Sequence, residues 1–166
     1  MNIQLLSSIG AEGLSTILLL IVFVVARKAD TSRFSAYWIG GWTLYELRII
    51  FEFCDAMLPG SRLLPALMLG FAGASAIYLL AAALALATRR SYRSAALAAS
   101  LLLGVGVMVA TMAGLSRADL TLVVFFVLGL AQIYTGIVFI GIHARLRSIG
   151  ALVGGIAMVS WGLHKW

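Results

Sequence analysis

Long apolar runs separated by short polar clusters dominate this chain. Each run is apolar on nearly every side, whereas a helix of a soluble protein is apolar along one stripe. A run of about 20 apolar residues is long enough to cross a bilayer as a helix. The pattern predicts an all-α fold, a polytopic membrane bundle of about six transmembrane helices within a single domain, 1–166. The predicted helices cover residues 9–26, 34–58, 63–88, 95–115, 120–142 and 149–166.

Composition excludes a water-soluble domain. Of the 166 residues, 63% are hydrophobic and 11% are charged, against roughly 45–50% and 25% in soluble domains. The net charge of +6 comes from basic residues grouped between apolar runs, where they meet lipid headgroups. We therefore expect the lipid bilayer, and no nucleic acid, as a partner. Cys54 is the only cysteine, so an intrachain disulfide or a cysteine-based metal cluster is excluded.

The basic residues predict how the chain is oriented. Eight of them follow the odd-numbered runs, and three lie on the opposite side. Because cytoplasmic loops are rich in Lys and Arg, we expect the N-terminus outside the membrane and the loops near Lys28, Arg90 and Arg145 in the cytoplasm. A six-helix chain then ends outside, and a seventh helix missing at the C-terminus is the alternative.

The second run carries a stripe of aromatic and charged side chains. Spacings of 4, 3, 3, 4 and 3 residues place them on one helix face, and Arg48 and Glu52 can pair at i, i+4. Charges facing lipid would be costly, so the stripe should face protein or the outer interface. Glu46 lies off the stripe, and Glu12 is expected at the outer interface. The stripe consists of Trp38, Trp42, Tyr45, Arg48, Glu52 and Asp55.

Two interpretations of the stripe stay open. In one, Trp38 lies at the inner interface while the charged residues form a structural ion pair near the outer headgroups. In the other, the stripe lines a binding pocket that opens toward the outer leaflet. Polar groups in the fifth run could complete a pocket or make interhelical hydrogen bonds. The ligand-binding candidates are Trp38, Trp42, Tyr45, Arg48, Glu52, Gln132 and Tyr134.

Small residues predict where helices cross closely. Gly70 and Gly104 allow close approach, and Gly150 and Gly154 have GxxxG spacing. No nucleophile with a paired base, metal-ligand spacing or phosphate-binding glycine loop is present. We therefore expect this segment to be non-enzymatic and to have no metal site, and the sequence identifies no cofactor.

Two stretches resemble a known kind of domain. The sequence YWIGGWTLYELR at 37–48, and WGLHK at 161–165, are similar to the second helix and a late motif of the polytopic sensory domains found at the N-terminus of bacterial membrane histidine kinases and diguanylate cyclases. The resemblance implies a receiver of signals in a two-component or related system, located in a bacterial inner membrane. It also implies a further helix and a cytoplasmic output module after this segment.

Two functions are compatible with these observations. The first is a membrane sensory module that passes a small, lipid-soluble or membrane signal to a cytoplasmic output domain absent from this chain. The second is a small multi-helix transporter or a membrane subunit of a larger complex. The expected partners, besides the bilayer, are a small or lipid-soluble ligand and a second copy of the chain in a homodimer.

Overall fold

The computed structural model of the chain describes residues 3–27, 32–58 and 60–164. These residues form six α-helices and no β-strand, which confirms the all-α prediction. The predicted helix at 63–88 matches the observed one, whereas the first begins six residues earlier than predicted. The helices are α1 (Ile3–Arg27), α2 (Arg33–Met57), α3 (Leu63–Thr88), α4 (Arg93–Met112), α5 (Arg117–Leu146) and α6 (Ile149–His164).

Local chemistry explains several helix ends. Ser32 and Ser116 are N-caps, each accepting a hydrogen bond from the backbone N–H three residues later. α4 ends at Met112, three residues before the predicted end, next to Gly114 with its positive φ of 86°. α5 continues to Leu146, so Arg145 lies in a helix and not in the predicted loop. Lys28 and residues 165–166 lie outside the described residues.

α2, α3 and α5 form the centre of the bundle. α3 packs against α2, α4 and α5. Among the described helices, the backbone of α1 approaches only that of α2, and the backbone of α6 approaches only that of α5. No described Cα atom of α2 comes within 8 Å of α5 or α6. Aromatic side chains fill the space between these backbones. The bundle is therefore held on this side by side chains of α2 and not by close backbone contact.

Glycines bring α5 and α6 together. A Cβ added at Gly155 would lie 2.9 Å from the carbonyl oxygen of Gly136, and one added at Gly162 would lie 2.7 Å from that of Gly129. Only glycine fits at such distances, so the two backbones touch there. The prediction of Gly150 as a crossing point was wrong, because that residue is exposed near the start of α6. The real crossing residues lie further along α6.

Four of the described helices are long and apolar enough to cross a membrane: α1, α3, α4 and α5. Their outward faces carry exposed side chains such as Leu18, Leu102 and Val123, as expected for surfaces solvated by lipid. α6, at 16 residues, is apolar but reaches only about 24 Å. α2 contains five charged residues, so its apolarity alone does not identify it as a span.

Candidate functional site

The aromatic half of the α2 stripe is buried in the bundle. Trp38 is 4% exposed, Trp42 1% and Tyr45 0%, because each side chain projects into the gap between α2 and the α5–α6 pair. The indole of Trp42 stacks on Trp161 of α6 with ring centroids 5.1 Å apart. Tyr45 meets the same Trp161 ring edge-on at 5.6 Å. The stripe therefore faces protein, as predicted, and joins α2 to α6.

Trp38 lies at the other end of this aromatic column. It packs against Phe139 of α5 at 5.4 Å and against Phe23 of α1 at 5.5 Å. At 4% exposure, its ring is covered by protein and does not project from the bundle surface. Such edge-on and tilted ring pairs add packing energy beyond their buried area. Trp38 is a core residue that links three helices.

Arg48 is a buried cation with two carboxylate partners. Its side chain is 5% exposed, and its Nη atoms lie 2.6 Å from Glu52 of the same helix and 3.2 Å from Glu12 of α1. The guanidinium also donates to the Tyr45 hydroxyl at 3.4 Å and lies 5.5 Å from the centre of the Phe125 ring on α5. The intrahelical pair with Glu52 was predicted. The second pair, with Glu12, crosses between helices.

α1 supplies polar partners that the sequence did not identify. Glu12, expected at the interface, accepts a hydrogen bond of 2.5 Å from the Tyr45 hydroxyl as well as the contact from Arg48. One turn further along α1, the Thr16 hydroxyl lies 2.5 Å from a carboxylate oxygen of Glu46. Glu46 lies off the aromatic stripe, as predicted, and faces α1. Polar contacts at two positions of α1, one turn apart, therefore join α1 to α2.

Asp55, the last residue of the stripe, lies at the edge of the bundle. Asp55 pairs with Arg117 at 2.7 Å, and the Arg117 side chain is 55% exposed. Such exposed pairs contribute little to stability. This contact ties the end of α2 to the start of α5 but is separate from the buried Arg48 cluster.

Gln132 is a fully buried polar residue in α5. Its exposure is 0%, and neither oxygen nor nitrogen of its amide has a hydrogen-bond partner among the described residues. The indole nitrogens of Trp38 and Trp42 are also buried and have no hydrogen-bond partner among the described residues. Gln132 lies between Phe125 and Phe139 along α5, which contact Arg48 and Trp38 of α2. Its side chain therefore belongs to the same stretch of the α2–α5 interface as Trp42.

Tyr134 does not join this group. It is 39% exposed, and its position two residues after Gln132 places it on nearly the opposite side of the helix. The structure therefore separates two candidates that the sequence had grouped together. It brings Trp38, Trp42, Tyr45, Arg48, Glu52 and Gln132 to the interior faces, and it adds Glu12, Thr16, Phe125 and Trp161.

The site is built for hydrogen bonding and ion pairing, with aromatic walls. Among the described residues, no group of three His, Cys, Asp or Glu side chains could hold a metal ion. Unpaired amide and indole groups in a dry interior are costly, so they mark positions where a polar ligand or water would be stabilised.

Comparison with known proteins adds no family assignment. No family model, curated protein or solved structure matches this chain. The resemblance to bacterial sensory domains stays a prediction that depends on the residues at 37–48 and 161–165.

Proposed function

We propose that this chain is a membrane-embedded signalling module of about six transmembrane helices, in which the Arg48 cluster relays a signal by controlling the contact between α1 and α2. The proposal is supported chiefly by the double pairing of one buried cation with carboxylates from two helices. Intramembrane charges are expensive and are characteristic of functional sites. A buried ion pair is also poor evidence for a purely stabilising role.

In this proposal α2 and α6 also cross the membrane, in addition to α1, α3, α4 and α5. α2 is 25 residues long, or about 37 Å, and it packs along α1 and α3, both of which can cross a membrane. Arg33 is exposed at the first position of the helix, and the four charges further along are buried or partly covered by protein, which removes the main objection to a bilayer position. α6 is shorter but packs closely along α5. With alternating directions, the basic ends of α1, α3 and α5 all lie in the cytoplasm.

The cluster has two available arrangements. Arg48 can pair with both Glu12 and Glu52, or with Glu52 alone, since the latter lies on its own helix. The backbone of α1 comes close to no described helix other than α2, so loss of the Glu12 contact would free α1 to shift against α2. A signal that biases this equilibrium by ~1.4 kcal/mol changes the ratio of the two states tenfold. A movement of α1 relative to α2 is therefore the proposed output.

The signal should be small, lipid-soluble or a property of the bilayer. The helix bounds leave connections of only two to five residues, too short to form a soluble ligand-binding domain. The aromatic and polar surfaces of Trp42, Tyr45 and Gln132 would receive such a ligand. A homodimer is the proposed working unit, and crosslinking in membranes would test it.

A transporter is less well supported. Carriers of many folds bind their substrates at interrupted helices near the midplane, whereas each described helix here is continuous. A membrane subunit without signalling activity is the alternative that the experiment below must separate from a sensor.

The decisive variant is Tyr45→Phe in the full-length protein. It removes one hydroxyl, which donates to Glu12 at 2.5 Å, and preserves the ring that packs on Trp161. We expect the output activity to change severalfold while membrane abundance stays within twofold. Tyr134→Phe is the matched control, because that ring is exposed, and it should leave the output unchanged.

The gene provides a second test. A reading frame that continues from the codon for Trp166 into a kinase or cyclase module supports the sensor, and a stop codon there refutes it. Unchanged output in Tyr45→Phe at normal abundance would remove the Arg48 cluster from the mechanism.

A further inference from the structure

Three arginines converge on one cavity at the end of the bundle where α2 begins and where α3 and α5 end. The cavity has a volume of about 480 Å³ and is lined by Arg33, Arg89 and Arg145 together with Phe34, Leu86 and Ile142. Arg33 is the first residue of α2, Arg89 caps α3, and Arg145 lies in the last turn of α5. Residues far apart in sequence are thus brought to one small volume.

No negative charge of the described chain neutralises these arginines. Their side chains are exposed, none of them forms an ion pair with a described carboxylate, and no carboxylate lines the cavity. Like charges held together are destabilising unless an anion is present. The cavity therefore has an excess of positive charge, and the described residues that line it provide no anion to balance it.

The residues that line the cavity indicate what kind of anion it would bind. Guanidinium groups match phosphate oxygens in a bidentate geometry. The remaining lining is mostly apolar and consists of Phe34, Ala85, Leu86, Ala87 and Ile142, with Ser32 as the one polar residue. A ligand with a phosphate group and an apolar tail would satisfy both parts. Basic pockets between membrane helices on the cytoplasmic side are suited to anionic phospholipid headgroups.

We propose that this basic pocket binds the phosphate of an anionic phospholipid, such as phosphatidylglycerol, at the cytoplasmic rim of the bundle. The inference rests on the proposed membrane position of α2, α3 and α5 and is independent of the signalling role. Failure of the Tyr45→Phe experiment would leave it intact. A bound lipid would contact α2, α3 and α5 together and hold their ends at a fixed separation.

The test uses the purified full chain in an uncharged detergent and a phosphatidylglycerol with a fluorescent tail, followed by anisotropy. The double variant Arg33→Gln/Arg145→Gln removes two charges from the pocket. At about fivefold in affinity for each arginine near the headgroups, it should weaken binding roughly 25-fold. The control Arg90→Gln/Arg93→Gln removes two exposed charges at the same end of the bundle and outside the pocket, and it should change affinity less than twofold.

Three comparisons make the result decisive. Phosphatidylcholine with the same tail should bind at least tenfold more weakly than phosphatidylglycerol. The variant Arg33→Lys/Arg145→Lys, which preserves the charges, should lose less than fivefold, and all variants should retain the wild-type circular dichroism spectrum. Glycerol 3-phosphate and inorganic phosphate should compete only weakly, because they lack the tail.

Equal losses in the pocket and control variants would show a general surface attraction and overturn the proposal. Equal affinity for phosphatidylcholine and phosphatidylglycerol would overturn it as well, because the negative charge of the lipid would then not be the cause. Strong competition by inorganic phosphate would refute the lipid and identify a site for a soluble phosphate.

Discussion

Replacement of Arg48 by methionine tests the physical basis of the buried cluster. Methionine fills a similar volume but provides no charge and no donor. Arg48→Met therefore leaves the carboxylates of Glu12 and Glu52 without their shared cation, although the Tyr45 hydroxyl still donates to Glu12. Arg117→Met is the matched control, because Arg117 also pairs with a carboxylate, that of Asp55 at 2.7 Å, but its side chain is 55% exposed.

Arg48→Met should lower the free energy of unfolding much more than Arg117→Met does. Removal of one partner of a buried ion pair costs about 3–5 kcal/mol, because the remaining charge is left uncompensated. An exposed pair contributes about 0–1 kcal/mol. The triple variant Glu12→Gln/Arg48→Met/Glu52→Gln removes all three charges together. It should therefore recover most of the loss and lie within about 1–2 kcal/mol of the wild type.

Thermal unfolding in detergent, followed by tryptophan fluorescence, measures these differences. On the scale of domains of this size, Arg48→Met should lower Tm by roughly 10 °C and Arg117→Met by about 3 °C or less. Equal shifts in the two variants would show that the burial of Arg48 has no electrostatic consequence. A triple variant that is no more stable than Arg48→Met would likewise contradict the argument from uncompensated charge.

Two further predictions concern orientation and helix packing. In a Cys54→Ser background, a membrane-impermeant thiol reagent added to intact cells should label Ala113→Cys and spare Ser91→Cys, and the reverse pattern would invert the proposed topology. Gly155→Ala should lower Tm, at a cost of about 1–3 kcal/mol, because its Cβ would meet the α5 backbone. Gly141→Ala, with no atom within 4 Å of its Cβ, should not lower Tm, and equal losses would argue against close α5–α6 contact.

The sequence predicted the helices well because their apolarity is nearly uniform along each run. The helix at 63–88 agrees with α3 at both ends, since the turn residues before it and the arginines after it are strong signals. The inward direction of the α2 stripe was also predictable. Arg48 and Glu52 are too costly to leave in lipid, so charge alone determined which face of α2 is covered.

The same uniform apolarity explains what could not be predicted. A helix that is apolar all round carries no signal for the face that meets a neighbour. α6 is such a helix, so the sequence did not distinguish Gly150 from Gly155 as its crossing residue. The stacking of Trp161 on Trp42 has the same origin, because it depends on how α6 is rotated against α5.

The ion pair between Glu12 and Arg48 could have been predicted by counting the residues that separate each of them from the α1–α2 connection. Glu12 lies 15 residues before the end of α1 at Arg27, and Arg48 lies 15 residues after the start of α2 at Arg33. Two antiparallel helices joined by a short connection place such residues at the same height, about 22 Å from the connection. A single acid and a single base at equal depth in neighbouring helices predict an ion pair.

Gln132→Leu is the sharpest test of whether the unpaired polar groups serve a ligand. Leucine has a similar volume and no polar atoms. Because the amide of Gln132 has no hydrogen-bond partner among the described residues, its removal should relieve a desolvation cost of about 1–3 kcal/mol. We therefore expect Gln132→Leu to raise Tm in ligand-free detergent and, in the full-length protein, to weaken the response to the signal.

Thr135→Val, one turn further along α5, is the matched control. Thr135 is 0% exposed, and its hydroxyl donates to the Ala131 carbonyl at 2.8 Å. Its replacement should therefore cost about 0.6 kcal/mol or less and lower Tm slightly. A rise in Tm for Gln132→Leu together with a fall for Thr135→Val would show that these two interior polar groups of α5 have different roles. Thr135 then supports the fold, while Gln132 is retained at a cost to stability. A fall in Tm for Gln132→Leu would contradict this, because it would mean that the amide already has a stabilising partner in the ligand-free state.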